Sequence, residues 1–139
     1  MQYSESLHSL FISLQSLYKN HLELDNSSFQ QIIAISIIET DGFVMSKFSK
    51  KLGIDNSTAT RLIEGVEKKG WAHRIKSESD NRVVKVFLTE SGMIVKNNIE
   101  LQLEAIASIV EGELDLSSRG SVLESIHLLN WAVEKLKLK

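Results

Sequence analysis

The sequence predicts a mainly α-helical protein with one small β-hairpin. Apolar residues recur at helical spacing over most of the 139 residues, and the chain has no proline that would interrupt a long helix. The exception is the β-branched and aromatic run over residues 83–88, which is typical of a strand. With 42% hydrophobic and 24% charged residues, the composition indicates one folded domain rather than a disordered chain.

Two helices are predicted at the N-terminal end. Residues 4–22 carry an amphipathic stripe, and residues 28–39 are apolar nearly all round, which indicates a buried helix. Ser27, followed three residues later by Gln30, matches a capping box. We therefore expect the second helix to begin immediately after Ser27.

A helix-turn-helix is predicted next. A short basic helix covers residues 45–52, and a second helix begins at Asp55-Asn56-Ser57, which are all good N-cap residues. Gly53 stands at the turn, where a positive φ is needed. Five apolar side chains have the spacing expected for burial between two crossing helices, namely Phe48, Leu52, Ile54, Ala59 and Leu62.

The period then changes to that of strands. Residues 71–75 and 83–88 are strand candidates, and the polar residues between them are typical of a hairpin connection. Thr89 should cap a long helix over about 90–111, and another should cover about 117–137. This order of elements predicts a winged helix-turn-helix with flanking helices.

The second helix of such a motif lies in a DNA major groove, with its N-terminal side chains toward the base edges. Short hydrogen-bonding groups and one long bidentate donor suit phosphates and bases. The side chains in question are Asn56, Ser57, Thr58, Thr60 and Arg61. Other roles remain open, because hydroxyl side chains also cap helices and Arg61 could pair with Glu64.

Residues 50–92, KKLGIDNSTATRLIEGVEKKGWAHRIKSESDNRVVKVFLTESG, resemble the MarR family, the multiple-antibiotic-resistance regulators. The turn, the recognition helix, EKKG, the following arginine, the DxR wing and LTxxG occur in the family's order and spacing. The resemblance implies one MarR-like chain over 1–139, with a winged helix-turn-helix over 28–89. Dimerisation helices would cover 4–22 and 90–138.

The resemblance also implies residue roles. The residues that match recognition-helix positions of the family are Ser57, Thr58, Thr60 and Arg61. Those that match its wing are Arg74, Asp80 and Arg82. Lys76 and Lys85 add positive charge to the wing. Arg82 would reach the minor groove, and we expect Asp80 to orient it through a charge-assisted hydrogen bond. A solvated hairpin tip is the alternative. Three departures are Ser49 where the family usually has Ala, Trp71 where it has Leu, and Asn81 where it often has Arg.

The charges are distributed unevenly along the chain. The whole chain has a formal net charge of −2, which by itself disfavours a nucleic-acid partner. Residues 43–89, however, hold ten basic and five acidic residues, a net of +5, and the remainder holds six and thirteen, a net of −7. A basic DNA-reading segment between acidic helices is what phosphate binding requires.

Several classes of function are disfavoured, among them an enzyme and, as a weaker third alternative, a metal sensor. Without cysteine there is no disulfide and no thiolate ligand, and His8, His21, His73 and His127 lack metal-ligand spacing. The sequence has no glycine-rich phosphate loop and no nucleophile elbow, so it predicts no enzyme, no catalytic residue and no cofactor. It has no signal peptide and no apolar run near the ~18 residues of a membrane span, so we expect a cytoplasmic protein.

The predicted partners are double-stranded DNA and a second copy of the chain. The amphipathic terminal helices would bury one another across a two-fold axis, although an intramolecular bundle is the alternative. The resemblance implies a transcription regulator, usually a repressor, on a pseudo-palindromic site. It also makes a small amphipathic or aromatic effector a candidate, with Phe11, Phe43 and Trp71 either lining its site or lying in the core. The competing interpretation is a winged-helix adaptor or antirepressor without a DNA site of its own.

Overall fold

The computed structural model describes residues 2–137, so Leu138, the last residue of the predicted dimerisation helices, lies outside it. The elements in chain order are α1 (Gln2–His21), α2 (Phe29–Ile37), β1 (Phe43–Val44), α3 (Met45–Leu52), α4 (Asn56–Lys68), β2 (Ala72–Lys76), β3 (Val84–Leu88), α5 (Glu90–Gly112) and α6 (Arg119–Lys137). The predicted mainly α-helical class with a winged helix-turn-helix is confirmed.

The chain forms two compact units that divide between Leu103 and Glu104. The first contains α1 to β3 and the beginning of α5, and the second contains the end of α5 and α6. The first unit has a continuous apolar core. Its largest fully buried side chains are Phe48, Ile35, Ile38, Ile63, Ile99, Val66 and Val86.

The capping box of α2 lies one residue later than predicted. Ser28, not Ser27, accepts a bond from the backbone of Gln31, and the Gln31 side chain accepts one from the Ser28 backbone. Ser27 instead bonds to the Asp25 carbonyl and accepts a bond from the Lys69 ammonium group at 2.9 Å. The prediction was wrong because the Ser-Ser and Gln-Gln pairs at 27–28 and 30–31 fit the same motif in two registers.

The predicted hairpin is part of a three-stranded antiparallel sheet with the order β1-β3-β2. Strand β1 pairs Phe43 with Val86, and β2 pairs Arg74 with the same residue from the other side. Strand β1 could not be predicted from the sequence, because a strand of two residues is too short to display a period. The added strand places the N-terminus of α3 directly beside the wing.

The turn of the helix-turn-helix is as predicted, but its packing is looser. Gly53 adopts φ 68°, and Phe48 and Ala59 are buried. The expectation that Leu52, Ile54 and Leu62 would also be buried was wrong, because these three residues line an open cavity.

Gly65 lies where α4 meets α2. A β-carbon added at Gly65 would lie 2.8 Å from the Gln31 amide nitrogen, which leaves no room for a larger residue without movement of that side chain. Because the end of a glutamine side chain can move, this contact alone does not require glycine at Gly65.

The LTxxG segment joins the wing to α5. Thr89 donates to the Gly70 carbonyl at 2.6 Å and accepts from the Gly92 backbone at 3.0 Å, which confirms its predicted capping role. A β-carbon at Gly92 would lie 1.9 Å from the Trp71 carbonyl oxygen. Only glycine allows α5 to approach the wing this closely.

Helices α1 and α6 each expose a large number of apolar side chains. On α1 the exposed residues are Tyr3, Leu7, Leu10, Phe11, Ile12 and Leu14. On α6 they are Leu123, Ile126, Leu128, Trp131, Val133 and Leu136. Soluble monomers rarely leave so many apolar residues uncovered. None of the helices within residues 2–137 combines the length and apolarity needed to cross a bilayer.

Candidate nucleic-acid interface

The first turn of α4 is organised by Asp55. The Asp55 carboxylate accepts the Thr58 backbone N–H at 2.7 Å and the Ser57 hydroxyl at 2.9 Å, so it is the N-cap. The bond from the Thr58 backbone, followed by those from the Thr58 and Ser57 side chains, lowers the pKa of Asp55 from 3.8 to about 2. The carboxylate therefore stays ionised and holds this turn in place.

This pKa predicts a specific pH dependence of stability. Asp55 binds its proton more weakly in the folded chain than in the unfolded chain, so its contribution is complete above pH 3.8 and is lost as the pH falls toward about 2. Asn also caps helices but does not titrate. We expect Asp55→Asn to make the decline of the melting temperature between pH 3.8 and about 2 shallower. Equal declines in wild type and variant, measured by circular dichroism, would contradict this assignment.

The five predicted recognition-helix residues lie in the first two turns of α4. Asn56, Ser57 and Arg61 are exposed, whereas Thr58 and Thr60 are half-buried. The Thr60 hydroxyl donates to the Asn56 carbonyl at 2.9 Å, and the Arg61 guanidinium donates to the Thr58 hydroxyl at 3.4 Å. Thr60 thus uses its hydroxyl proton within the helix, while Arg61 keeps most of its donors free.

At the tip of the wing, Asp80 binds Arg82. The Asp80 carboxylate accepts bonds from the Arg82 backbone at 3.0 Å and from its guanidinium at 3.1 and 3.3 Å. This confirms the predicted charge-assisted bond, and the side-chain and backbone bonds from Arg82 lower the pKa of Asp80. The Arg82 side chain is 91% exposed and is therefore accessible to a binding partner.

Arg74 has a different environment. Its guanidinium pairs with Glu67 at 2.9 Å and lies 3.7 Å from Glu64, so it ties β2 to α4. This contact also means that Glu64 faces Arg74, while the guanidinium of Arg61 donates to Thr58. The role of Arg74 toward DNA stays a prediction. Lys76 and Lys85 are both exposed on the strands of the wing.

The recognition helix and the wing border one concavity, which we call the wing cleft. Its volume is about 210 Å³, and it is lined by Val44, Met45, Ser46, Asn56, Ala59, Thr60, Arg82, Val83 and Val84. Asn56 and Arg82 were predicted from sequence, but Met45 and Ser46 were not. No sequence signal was available for them, because they reach the cleft only through the pairing of β1 with β3.

The fold and this basic, exposed surface define a winged helix-turn-helix protein of the kind that binds DNA. The family model described as "MarR family" matches residues 35–84. The HTH-type transcriptional regulator SarZ of Staphylococcus haemolyticus is 30% identical over 101 residues, covering 72% of this chain and 66% of that protein. The chain thus spans about two thirds of the length of this relative.

Solved structures with the same fold cover almost the entire chain. A crystal structure of FabT of Streptococcus pneumoniae in complex with DNA superposes with a TM-score of 0.78 at 22% identity, covering 97% of each chain. A structure of BpsR of Bordetella bronchiseptica, described as showing a mechanism for regulation of DNA binding by 6-hydroxynicotinic acid, superposes with a TM-score of 0.76 at 16% identity. The match covers 94% of this chain and 99% of that chain. The chain belongs to the MarR family, and it is therefore a DNA-binding transcription regulator rather than an enzyme.

Proposed function

We propose that this regulator is a repressor that binds a pseudo-palindromic operator as a homodimer. The observation that carries the proposal is the wing cleft, where Asn56 of the recognition helix and Arg82 of the wing border the same concavity. One duplex can meet both groups at once, with α4 in the major groove and the wing tip toward the minor groove. The net charge of +5 over residues 43–89 supplies the attraction for phosphates.

Each recognition residue has a proposed task. Arg61 has the free donors and the reach to contact a base edge or a phosphate, and Arg82 is held by Asp80 so that it enters the minor groove already oriented. Ser57 and Thr58 position the first turn through Asp55 and lie close enough to the groove to contact phosphates. Arg74 lies on β2, and its ion pair with Glu67 sets the angle between β2 and α4.

The second copy in the proposed dimer covers the exposed apolar faces of the terminal helices. Phe11 of α1 is 62% exposed and Trp131 of α6 is 59% exposed, and both belong to longer apolar rows. A two-fold partner presents the same rows and so buries them without a second type of subunit. The expected species in light scattering has twice the chain mass of 15.6 kDa.

The DNA-binding proposal is tested with the promoter region of the protein's own gene and a random duplex of equal length. Fluorescence anisotropy should give tighter binding to the promoter, with an affinity that falls steeply as salt rises. Equal, weak affinity for both duplexes in a chain that melts cooperatively would contradict the proposal. That result would instead favour the adaptor or antirepressor interpretation.

An effector would have a suitable site beside the recognition helix. A cavity of about 500 Å³ lies among α1, α2 and α4, and its wall includes Phe29, Ile33, Leu52, Ile54 and Leu62. Lys19 and Arg61 add two cations to this apolar wall, with the Lys19 ammonium 5.5 Å from the Phe29 ring centre. The combination suits a small aromatic anion, and we propose that such a molecule relieves repression by engaging Arg61.

The cavity proposal predicts that Lys19→Gln uncouples the effector from DNA. The DNA affinity should stay at the wild-type value, because Lys19 lies on α1 outside the proposed interface. With 6-hydroxynicotinate at millimolar concentration as the probe, the wild type should release DNA and the variant should release several times less. Ile33→Trp, which fills the cavity, should also abolish release. Release that is unchanged in both variants would show that the cavity does not hold the effector.

The three aromatic residues that the sequence suggested for an effector site lie apart from this cavity. Phe43 is buried against Phe48, with the rings 6.4 Å apart and edge to face, so it belongs to the core. Trp71 is half-buried with the Lys69 ammonium 5.2 Å above its ring, and Phe11 is exposed on α1. The proposed effector site therefore does not use these side chains.

A further inference from the structure

Ser49 is the only polar residue in the buried class among residues 2–137, with 4% of its surface exposed. It lies on α3, on the side that packs against α4. The Ser49 Oγ lies 2.9 Å from the Asn56 Oδ1 and 3.0 Å from the Ser46 carbonyl oxygen. The hydroxyl therefore links the two helices of the motif at the base of the DNA-reading surface.

In the structure, the amide oxygen of Asn56 faces this hydroxyl. The single hydroxyl proton of Ser49 is shared between two acceptors, one of which is the amide oxygen of Asn56. With its oxygen turned inward, the amide must turn its NH₂ group outward. Asn56 is exposed and lines the wing cleft, so the NH₂ group is available to a ligand there.

We propose that Ser49 is a positioning residue that makes Asn56 a pure hydrogen-bond donor to a DNA phosphate oxygen. This inference rests on the proposed DNA-binding function and assigns the contact within it. Asparagine reads adenine through its oxygen and its nitrogen side by side, whereas the Asn56 oxygen faces the buried Ser49 hydroxyl and is turned away from a base edge. The remaining NH₂ group suits a partner that only accepts, as a phosphate oxygen does.

The surroundings of Asn56 in the wing cleft favour the same partner. Arg82, which lines the cleft with Asn56, is a donor only. Met45 and Ser46 are the first two residues of α3, and Val44 is its N-cap residue. Because the Val44 side chain has no hydrogen-bond acceptor, it cannot cap the backbone N–H groups of this first turn. The cleft is thus lined by residues of α3, α4 and the wing that carry hydrogen-bond donors, a composition that suits a phosphate group.

The experiment compares Ser49→Ala, Asn56→Ala and the double variant with the wild type on promoter and random duplexes. Loss of one neutral hydrogen bond should weaken binding about three- to tenfold for Ser49→Ala. Asn56→Ala should weaken binding at least as much, and the double variant should equal Asn56→Ala because Ser49 acts only through Asn56. The losses should be the same on both duplexes, because a phosphate contact carries no sequence information.

Ser36→Ala is the matched control. Ser36 donates to the Ile33 carbonyl at 2.6 Å within α2, so its removal also deletes a partly buried serine hydroxyl with the same local bond. Its DNA affinity should stay at the wild-type value. A second measurement follows the side-chain NH₂ of Asn56 by NMR, where Ser49→Ala should increase its nanosecond motion while the melting temperature changes little.

The outcomes separate this inference from the proposed function. Wild-type affinity in Ser49→Ala, or losses that add in the double variant, would overturn the role of Ser49 and leave the DNA-binding proposal standing. A loss on the promoter alone would overturn the phosphate assignment, because it would mean that Asn56 reads a base. Absence of salt-dependent DNA binding by the wild type would overturn both.

Discussion

Replacing Arg61 and Arg82 together by alanine is expected to lower the affinity for promoter DNA by about a hundredfold or more. Arg61 is exposed on the recognition helix, and Arg82 is held at the wing tip by Asp80. Each arginine can make charge-assisted contacts of about 1–3 kcal/mol to DNA, and each neutralises phosphate charge. The double variant should also reduce the slope of log affinity against log salt by about two.

The control variant removes two positive charges elsewhere. Lys135→Ala with Lys137→Ala changes the net charge by the same amount, but both residues lie on α6 outside the basic segment. Its affinity and salt slope should stay close to wild type if light scattering gives the wild-type mass. Equal losses in the two double variants would mean that only total charge matters, and retained binding in the arginine variant would refute the site assignment.

Substituting Gly92 by alanine is expected to lower the free energy of unfolding by about 3 kcal/mol. The added methyl group would lie 1.9 Å from the Trp71 carbonyl oxygen, which belongs to the backbone and cannot rotate away. The beginning of α5 would have to move, and the Thr89 bonds to Gly70 and Gly92 would weaken with it. Urea unfolding followed by circular dichroism measures the change.

Gly120→Ala provides the comparison for this prediction. Gly120 lies in α6, and a β-carbon there would meet no heavy atom within 4 Å. The substitution should be neutral or stabilising by up to about 1 kcal/mol, because alanine favours helices. Similar unfolding free energies for Gly92→Ala and the wild type would show that α5 and the wing are not in such close contact.

The sequence was sufficient for those parts of the fold that depend on local signals. Helix α4 begins directly after Asp55, Gly53 has a positive φ, and Asp80 bonds to Arg82, all as expected from residue type and spacing. These features depend on chemistry within a few residues. They could be predicted because no distant part of the chain is needed to satisfy them.

Features that depend on distant contacts could not be predicted. Strand β1 exists because Phe43 and Val44 meet β3 more than forty residues later. The approach of the Gln31 side chain to Gly65 likewise joins two separate helices.

The features of the candidate site fall into the same two groups, those that depend on local signals and those that depend on distant contacts. The exposed positions of Asn56, Arg61 and Arg82 agree with the helix-turn-helix and wing motifs. The ion pair of Arg74 with Glu67 and the bond of Ser49 to Asn56 join separate elements, so they required the fold.

A hydroxyl-radical footprint on the promoter of the protein's own gene tests the central claim most directly. A homodimer that inserts two α4 helices into successive major grooves should protect two symmetric segments whose centres lie about 10 base pairs apart, or a multiple of this. Loss of protection beyond the outer edges in Arg82→Ala would locate the wings in the flanking minor grooves. A promoter without protected segments, or with a single segment that lacks a symmetric partner, would contradict the account of a dimeric repressor that reads DNA through α4 and the wing.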